Sequence, residues 1–372
     1  MAAAHFIKWT NLEVEWYFDP NIKPQAVGEG STADLPVQLF QTLDFKITDL
    51  EKIYGSLKSG IRKKNWSNNT DFIHMFPPNV VGYHFNAVML QDFIIEKLQQ
   101  NNRIKLNASN ITHEQIDADY IIDCSGKPNN FDDFKMAECI PVNSVHVTQC
   151  YWEGIKFQYT LAIARPYGWV FGIPLLNRCS IGYMYNNKIN TLEEVKEDVK
   201  NIFLEFNLTP SETTNTFSFN NYYRKQNYTE RVCYNGNASF FLEPLEATSI
   251  NFMLRNNYRV HDIFAEVIDN NFANEMYIKE INQIQNIIML HYMKNPNFDT
   301  EFWKQSHIKS KYMYDVLRTD DEMKKVIETP VSTLMYGTWG HFAFQQNLKG
   351  LEIDLSLSSR SKKKGVYGLL NG

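Results

Sequence analysis

The chain has 372 residues, of which 37 are basic and 42 are acidic; the formal net charge is −5, and 44% of the residues are apolar. This length allows two or three domains, or one large domain with an insertion. The nearly balanced charge argues against a nucleic-acid-binding protein, and the absence of any apolar run of about 18 residues argues against a membrane-spanning helix.

Cysteine usage and the amino-terminal composition predict the cellular compartment. The five cysteines are odd in number and include no C-x-x-C pair, which favours reduced thiols over disulfides or a zinc site. No basic stretch followed by an apolar stretch marks a signal peptide. We therefore predict a cytoplasmic protein without a bound metal, and the sequence does not indicate its oligomeric state.

The first third of the chain alternates helical and strand patterns. The predicted elements are a helix over 2–9, a strand over 12–18, a loop over 19–34, a helix over 83–100 and a strand over 119–126. The last of these is short and nearly all apolar, which is typical of a strand buried on both faces of an α/β sheet.

The middle of the chain is rich in β-branched and aromatic residues. It predicts antiparallel strands over 144–165, 168–175 and 178–186, then a helix over 191–206, a strand over 217–224 and a helical pattern from about 258. Thr191 and Glu194 have the spacing of a capping box at the start of the 191–206 helix.

These elements together predict an α/β fold. It consists of a nucleotide-binding framework of the dinucleotide (Rossmann-like) type, an inserted antiparallel sheet and a helical C-terminal part. The predicted segments are 1–138 for the first half of the framework, 139–225 for the inserted sheet and its helix on the substrate side, 226–259 for the return segment of the framework, and 260–372 for the helical region.

Two loops have features of a cofactor site. Residues 27–31 (Val-Gly-Glu-Gly-Ser) follow Asp19, an acid at the end of a strand, and paired glycines let a backbone approach a planar cofactor. The loop around Pro244 leads into a predicted helix and presents N–H groups to an anion or a flavin edge. A glycine-rich surface turn would show the same sequence pattern as residues 27–31. Glu243 and Glu246 are either paired carboxylates or acids that stabilise a helix N-terminus.

Several single residues have both an ordinary and a chemical interpretation. Lys58 lies among small residues, Trp169 and Phe171 share one face of a strand, and His291 ends an apolar helix. Taken singly, these residues are most simply a solvated lysine, two core aromatics and a structural histidine.

The order of these motifs is more specific than any one of them, and it resembles the flavin-dependent halogenase family, whose familiar members are the tryptophan halogenases. The motifs lie at residues 28–31, 58–66, 84–87, 122–126, 169–174, 241–250 and 291–303. The chain departs from the family pattern at Phe171, Ala247 and Ser249, where Trp, Ser and Gly are usual. Ser249 puts the halide preference in doubt, and Phe171 keeps an aromatic wall without the indole N–H.

The resemblance implies oxidative halogenation of a small electron-rich aromatic compound of the indole, phenol or pyrrole type. A separate flavin reductase would supply FAD as FADH₂, and O₂ with a halide ion would yield hypohalous acid. Lys58 would then deliver or polarise the halogen, as an ammonium donor or through a haloamine. No nucleic-acid or membrane partner is implied.

The resemblance also assigns roles to residues. Lys58 and Glu246 would be catalytic, with Glu246 either orienting the electrophile or taking the ring proton, and the N–H groups of Thr248 and Ser249 would bind halide. The implied cofactor-binding residues are Asp19, Val27, Gly28, Glu29, Gly30, Ser31, Gly236, Asn237 and Pro244. The implied substrate and tunnel residues are His74, Phe76, Trp169 and Phe171, although core packing explains His74 and Phe76 nearly as well.

Two other functions stay open at this point: a flavin-dependent aromatic hydroxylase, and a non-catalytic remnant without tight FAD binding. The start of the chain motivates the second. Residues 1–6 resemble the helix that follows the first strand and glycine turn of the family, so about twenty residues would be missing. Either the assigned start codon omits them or FAD binding has been lost.

Overall fold

The structure is a computed structural model that describes residues 1–22, 28–294, 297–331 and 333–353. Its helices are α1 (Ala2–Trp9), α2 (Asp34–Leu43), α3 (Ala87–Leu98), α4 (Leu192–Glu205), α5 (Thr248–Phe264), α6 (Asn270–Leu290), α7 (Glu301–Ser310), α8 (Met313–Thr319), α9 (Asp321–Glu328) and α10 (His341–Gly350). Shorter 3₁₀ segments span Ile47–Ile53, His113–Gln115, Gly236–Ala238 and Leu245–Ala247.

The strands of the described residues are β1 (Val14–Phe18), β2 (Glu29–Gly30), β3 (Ser56–Lys58), β4 (Gly60–Lys64), β5 (Asp71–Met75), β6 (Gly82–Phe85), β7 (Ile104–Ala108), β8 (Ile121–Asp123), β9 (Phe134–Met136), β10 (Ser144–Tyr151), β11 (Thr160–Arg165), β12 (Gly168–Pro174), β13 (Cys179–Tyr185), β14 (Thr209–Ser218), β15 (Tyr222–Arg224), β16 (Val232–Tyr234), β17 (Phe240–Phe241), β18 (Met335–Tyr336) and β19 (Trp339–Gly340).

Parallel strand pairs form the framework of the α/β part. β1 pairs in parallel with β7, and β8 pairs in parallel with β16. Helices α1, α2, α3 and α5 pack beside them, and one buried apolar cluster joins the first three of these helices to Leu254 of α5. The α/β class and the predicted helix over 2–9 are confirmed.

A seven-stranded sheet lies at the centre of the molecule, in the order β14-β10-β13-β12-β11-β4-β5. The predicted antiparallel strands between 144 and 186 are confirmed as β10 to β13. The sheet is mixed and larger than predicted, because β4 pairs in parallel with β11 and β5 pairs in the antiparallel direction with β4.

Apolar layers cover both faces of this sheet, which is why every residue of β12 and β13 is buried. On one face, Val170, Ile181 and Tyr183 pack beneath Val195 and Val199 of α4. On the other face, Trp169 and Met184 belong to a large core that includes α6 and the C-terminal helices. The predicted capping box is present, since the Glu194 N–H donates to Thr191 Oγ1 at 3.2 Å.

Helices dominate the chain from α5 onward, as predicted for the C-terminal part. Within the described residues, no helix is long and apolar enough to cross a membrane. Residues 354–372 lie outside the described residues, and they include the basic C-terminal sequence at 360–372, which the composition predicts to be a solvated, frayed end.

Some predicted boundaries are wrong. The predicted helix over 83–100 begins only at Ala87, because residues 82–85 pair as β6 and the Asn86 side chain caps the helix, accepting from the Val88 N–H at 3.0 Å. The predicted strand over 217–224 divides between β14 and β15. Helix α5 begins at Thr248, where the loop around Pro244 was predicted to lead into a helix, and runs through the predicted start of the helical pattern at about 258. In β8 only Ile121 is buried, so this strand is not enclosed on both faces as predicted.

Candidate active site

Lys58 ends β3 inside the protein, with 1% of its surface exposed. Its Nζ lies 5.6 Å from the centre of the Phe76 ring, and no described residue gives it a hydrogen bond or an ion pair. Gly30 lies nearby in the three-stranded sheet β2-β6-β3, and a Cβ at position 30 would lie 3.5 Å from Lys58 Nζ. Burial lowers the pKa of Lys58 to about 8, with Glu246 opposing and Lys63 adding to that shift. Lys58 is therefore not the solvated lysine of the ordinary interpretation.

Glu246 lies in a tight turn between β17 and α5. Its backbone φ is +70°, and Ala247 follows with a φ of +54°. Residues with a Cβ rarely adopt this left-handed conformation, which costs about 1–2 kcal/mol each. The turn directs the Glu246 carboxylate into the protein interior, where its side chain is 1% exposed.

Four side chains surround the Glu246 carboxylate. Oε1 forms an ion pair with Lys63, and Oε2 accepts from the Trp339 indole N–H at 3.0 Å and lies 3.1 Å from His74 Nδ1. The Nε2 atom of His291 lies 3.4 Å from Oε1. Burial alone raises the pKa of Glu246, but Lys63, with His291 and His74, outweighs it and holds the pKa well below its usual range. Glu246 is thus a permanent carboxylate.

Strand β5 supplies two of the predicted substrate-side residues. Its alternation places His74 inside while Ile73 and Met75 are exposed, and Phe76 follows with the same parity as His74. The His74 and Phe76 rings are 6.3 Å apart, edge to face. The structure therefore brings Lys58, Glu246, His74 and Phe76 together in one buried cluster.

Among the described residues, no side chain caps the amino terminus of α5. Its N-cap position is Ala247, which offers no side-chain acceptor, and the buried Thr248 Oγ1 has no hydrogen-bond partner within the part of the chain that the structure describes. Uncapped N–H groups and the helix dipole favour an anion. Thr248 and Ser249, the predicted halide residues, occupy the first two positions of this helix.

Two glycines border open space at the carboxyl ends of β8 and β16. Gly126 has a φ of +101° and Gly236 a φ of +61°, and a Cβ at either position would meet no atom of the described residues within 4 Å. The Asn235 N–H donates to the Asp123 carbonyl at 2.9 Å, so the two loops lie side by side. Such bare left-handed backbone lets a flat ligand approach closely.

Three other residues that the resemblance assigns to the cofactor, Asp19, Glu29 and Ser31, differ in burial and in hydrogen bonding. Asp19 follows β1, where Oδ1 accepts from the Asn21 N–H at 2.8 Å. Burial raises the pKa of Glu29 to about 7. The Ser31 hydroxyl already accepts from the Tyr83 N–H at 2.9 Å.

Three further positions complete the set. Gly28 has a φ of +98°. The Asn237 carbonyl accepts from the Tyr222 hydroxyl at 2.8 Å, and Pro244 is exposed. Val27 lies outside the described residues.

Trp169 and Phe171 lie on the core-facing side of β12. The Trp169 Nε1–H donates to Glu243 Oε2 at 3.4 Å, and the Tyr292 hydroxyl donates to the same oxygen at 2.9 Å. Burial raises the pKa of Glu243 to about 8. Glu243 and Glu246 therefore have separate partners, and their pKa values shift in opposite directions.

His291 is fully buried and hydrogen-bonded, as expected of a structural histidine, but its position has a chemical consequence. Its Nδ1 lies 3.0 Å from the Ile287 carbonyl, and its Nε2 lies 2.8 Å from Lys63 Nζ. It therefore belongs to the cluster around Glu246.

Lys63 and Trp339 were not predicted. Lys63 has a signal in the sequence, since it shares a face of β4 with the buried Ile61 while Arg62 and Lys64 face the other way. Trp339 has none, because it lies 93 residues beyond Glu246. Among the described residues, no group of three or more His, Cys, Asp or Glu side chains could hold a metal ion.

Comparison with known proteins gives a consistent result. The family model for tryptophan halogenase matches residues 94–329. Tryptophan 7-halogenase RebH of Lentzea aerocolonigenes is 25% identical over 256 residues, covering 60% of this chain and 47% of RebH. Tryptophan 6-halogenase ThaL of Streptomyces albogriseolus is 24% identical over 229 residues, covering 58% and 41%. The chain thus matches about half the length of these curated relatives.

Solved structures share the whole fold. Xcc4156, a flavin-dependent halogenase from Xanthomonas campestris, superposes with a TM-score of 0.78 at 18% identity, covering 100% of this chain and 91% of that one. The tryptophan halogenase from Shewanella frigidimarina NCIMB 400 gives a TM-score of 0.78 at 17% identity, covering 100% and 90%. The predicted fold class is confirmed.

Proposed function

The chain belongs to the tryptophan halogenase family of flavin-dependent halogenases, and from this premise we propose that it halogenates a small electron-rich aromatic compound of the indole, phenol or pyrrole type. The proposed reaction consumes FADH₂, O₂ and a halide ion, with a separate flavin reductase supplying FADH₂. The buried Lys58, without a hydrogen-bond partner among the described residues, is the observation that carries the proposal.

The described residues fit a flavin. Open space beside the left-handed Gly126 and Gly236 supports a flat ligand at the carboxyl ends of β8 and β16. Asn237 follows Gly236 directly, and Gly28, Glu29 and Gly30 lie in another segment that the family resemblance assigns to FAD. When bound, the reduced flavin with O₂ supplies the oxidising power that turns halide into hypohalous acid.

The halide ion would bind at the amino terminus of α5. What supports this is the uncapped first turn and the buried Thr248 hydroxyl without a partner. A monovalent anion there would satisfy both, and the helix dipole would stabilise its charge. Ser249 contributes the second N–H group.

In this proposal the neutral Lys58 amine takes the halogen from hypohalous acid, with release of water, and then passes it to the substrate ring in exchange for the ring proton. An amine enclosed by protein and with a pKa of about 8 is partly neutral near physiological pH, so it can act as a nucleophile toward electrophilic halogen. The Phe76 ring beside it supplies an apolar wall against which an aromatic substrate can pack.

Glu246 would stabilise positive charge on the substrate ring. A carboxylate paired with an ammonium and with a depressed pKa is a weak base, so electrostatic stabilisation of a cationic ring suits it better than proton abstraction. Trp169 and Phe171 would separate the flavin from the substrate, which favours halogenation over direct hydroxylation.

The test is a reaction with FAD, a flavin reductase, NADH, bromide and a panel of indoles, phenols and pyrroles, followed by mass spectrometry. We expect brominated product from the wild-type chain and none from Lys58→Ala, with flavin binding by the variant unchanged. Lys64→Ala is the matched control, since Lys64 forms a surface ion pair with Glu205.

Three outcomes contradict the proposal. Hydroxylated product without brominated product indicates an aromatic hydroxylase. Absence of flavin binding in a fluorescence titration indicates a non-catalytic protein. Undiminished bromination by Lys58→Ala removes Lys58 from the mechanism.

A further inference from the structure

A second lysine lies deeper in the protein than Lys58. Lys63 is 0% exposed and leaves β4 on the same side as Ile61. A buried ammonium is costly unless it is paired and fully hydrogen-bonded. The identity of its partners therefore matters.

Lys63 has a complete set of partners. Its Nζ forms an ion pair with Glu246 Oε1, donates to Asn347 Oδ1 and lies 2.8 Å from His291 Nε2. The Trp339 ring centre lies 5.3 Å away, within the range of a cation–π contact. These partners come from a turn, a helix, the end of another helix and a hairpin, so several elements fix one ammonium.

The two histidines next to Glu246 do not supply positive charge. Burial, with Lys63, lowers the pKa of His291 to about 4, and burial lowers the pKa of His74 despite its contact with Glu246. In neutral His291, Nδ1–H donates to the Ile287 carbonyl and Nε2 accepts from Lys63. Among the described residues, Lys63 is therefore the one cation in contact with the carboxylate.

We propose that Lys63 is a positioning residue that holds the Glu246 carboxylate and leaves the Lys58 amine without an ion-pair partner. Lys63 pairs with Oε1, and Trp339 and His74 contact Oε2, whereas no ion pair among the described residues joins either oxygen to Lys58. The importance of this for halogen transfer rests on the proposed function, whereas the arrangement itself does not.

The two charged groups that act on Lys58 shift its pKa in opposite directions, because Glu246 raises it and Lys63 lowers it. Two histidines also interact with Lys58, and burial lowers the pKa of both His74 and His84. Removing Lys63 therefore removes a like charge and frees a carboxylate, and both changes raise the pKa of Lys58. An opposite charge within contact distance shifts a pKa by about 1–3 units.

The experiment measures the titration of Lys58 in the full chain without flavin, halide or substrate. Lysine labelled with ¹³C at Cε is followed by NMR from pH 6 to 11, and the Lys58 signal is identified by its loss in Lys58→Arg. Wild type and the control Lys64→Met should titrate Lys58 near pH 8. Lys63→Met should raise that value by about 1–3 units, and Lys63→Met with Glu246→Gln should lose most of the rise.

An unchanged Lys58 titration in a folded Lys63→Met chain would overturn the inference and leave Lys63 a purely structural residue. If Lys63→Met does not melt cooperatively, Lys63→Gln carries the same test, because it keeps a donor to Glu246 and removes the charge. The result does not depend on catalysis, so an inactive enzyme with the predicted titration sinks only the proposed function.

Discussion

Glu243 and Glu246 stand three residues apart, yet their surroundings drive their pKa values in opposite directions. Glu243 meets the neutral donors Tyr292 and Trp169, and burial dominates, which raises its pKa to about 8. Glu246 meets an ammonium, and its pKa falls well below the usual range. The pKa of each carboxyl group therefore depends on residues that are distant in sequence. Tyr292 is 49 positions from Glu243, and Lys63 is 183 positions from Glu246.

The first prediction concerns Glu243 and stability. Its pKa is raised in the folded state, so unfolding releases a proton between the unfolded value of 4.5 and about 8. Stability falls with rising pH in that window, by up to about 1.4 kcal/mol per pH unit. Glu243→Gln cannot lose a proton and should flatten this decline.

The measurement is urea denaturation of wild type and Glu243→Gln at several pH values from 5 to 8. The variant should gain stability relative to wild type as the pH rises. A constant difference across the range would mean that Glu243 is ionised in the native protein.

The second prediction concerns Lys58 and catalysis. If the neutral amine accepts the halogen, turnover to halogenated product should rise with pH through about 8 and then level off. The yield is measured per flavin reoxidised, so that the pH dependence of flavin oxidation is divided out. A yield that falls through the same range would assign the chemistry to the ammonium form.

Part of this residue-level picture was predictable. Motif order indicated Lys58 and Glu246, because the residue types and their spacing were unusual together, whereas only the family resemblance and local alternation indicated His74. The protonation states were not predictable, because they arise from burial and from Lys63, whose alternation with Ile61 is only one signal among many in a lysine-rich chain. Trp339 and Asn347 reach the site only through the tertiary fold.

At the level of elements, the central sheet fixes the aromatic wall. Phe171 of β12 lies opposite Gly182 of β13, and a Cβ at position 182 would lie 2.0 Å from the Phe171 ring. The glycine is therefore the reason why the ring can lie flat across the neighbouring strand. The wall depends on β13 as much as on its own strand.

The third prediction follows from this contact. Gly182→Ala should force the Phe171 ring from its place and destabilise the protein by about 1–3 kcal/mol, the usual cost of overpacking. Phe171→Leu in the same chain should restore part of the loss, because the smaller side chain leaves room. The two single variants and the double variant are compared by thermal melting in a double-mutant cycle.

Additive losses in that cycle would show that the two positions do not interact.

The alternating and capped elements, such as α4 and β10 to β13, were predictable since their patterns are local. The pairing of β4 with β11 was not, because a parallel contact between strands about 100 residues apart leaves no local pattern.

At the scale of the whole molecule, the site joins three distant parts of the chain. Lys58, Lys63 and His74 come from the first quarter, Glu246 from the turn before α5, and Trp339 from the C-terminal hairpin. The C-terminal part therefore supplies a hydrogen-bond donor to Glu246 in addition to covering the sheet. The segment boundaries at 138, 225 and 259 stay a prediction.

The fourth prediction tests that contribution. Trp339→Phe keeps a buried ring and removes the donor to Glu246, which should cost about 1.5–3 kcal/mol as a hydrogen bond to a charged group. It should also reduce halogenation. Trp303→Phe is the matched control, since this buried indole donates to the neutral Arg165 carbonyl at 2.8 Å and should cost about 0.5–1.5 kcal/mol.

Halogenation should stay near the wild-type rate in Trp303→Phe and fall in Trp339→Phe. Equal activity of the two variants at equal stability would separate Trp339 from the function.

The contact between Lys63 and Asn347 has a consequence for synthesis. The two residues are 284 positions apart, so the ribosome adds Asn347 roughly 15–60 s after Lys63 at about 5–20 residues per second. During that time β4 carries an ammonium destined for the interior without its partners. The first part of the nascent chain therefore cannot complete its core early, and chaperones that shield partly folded chains should have a long interval in which to bind it.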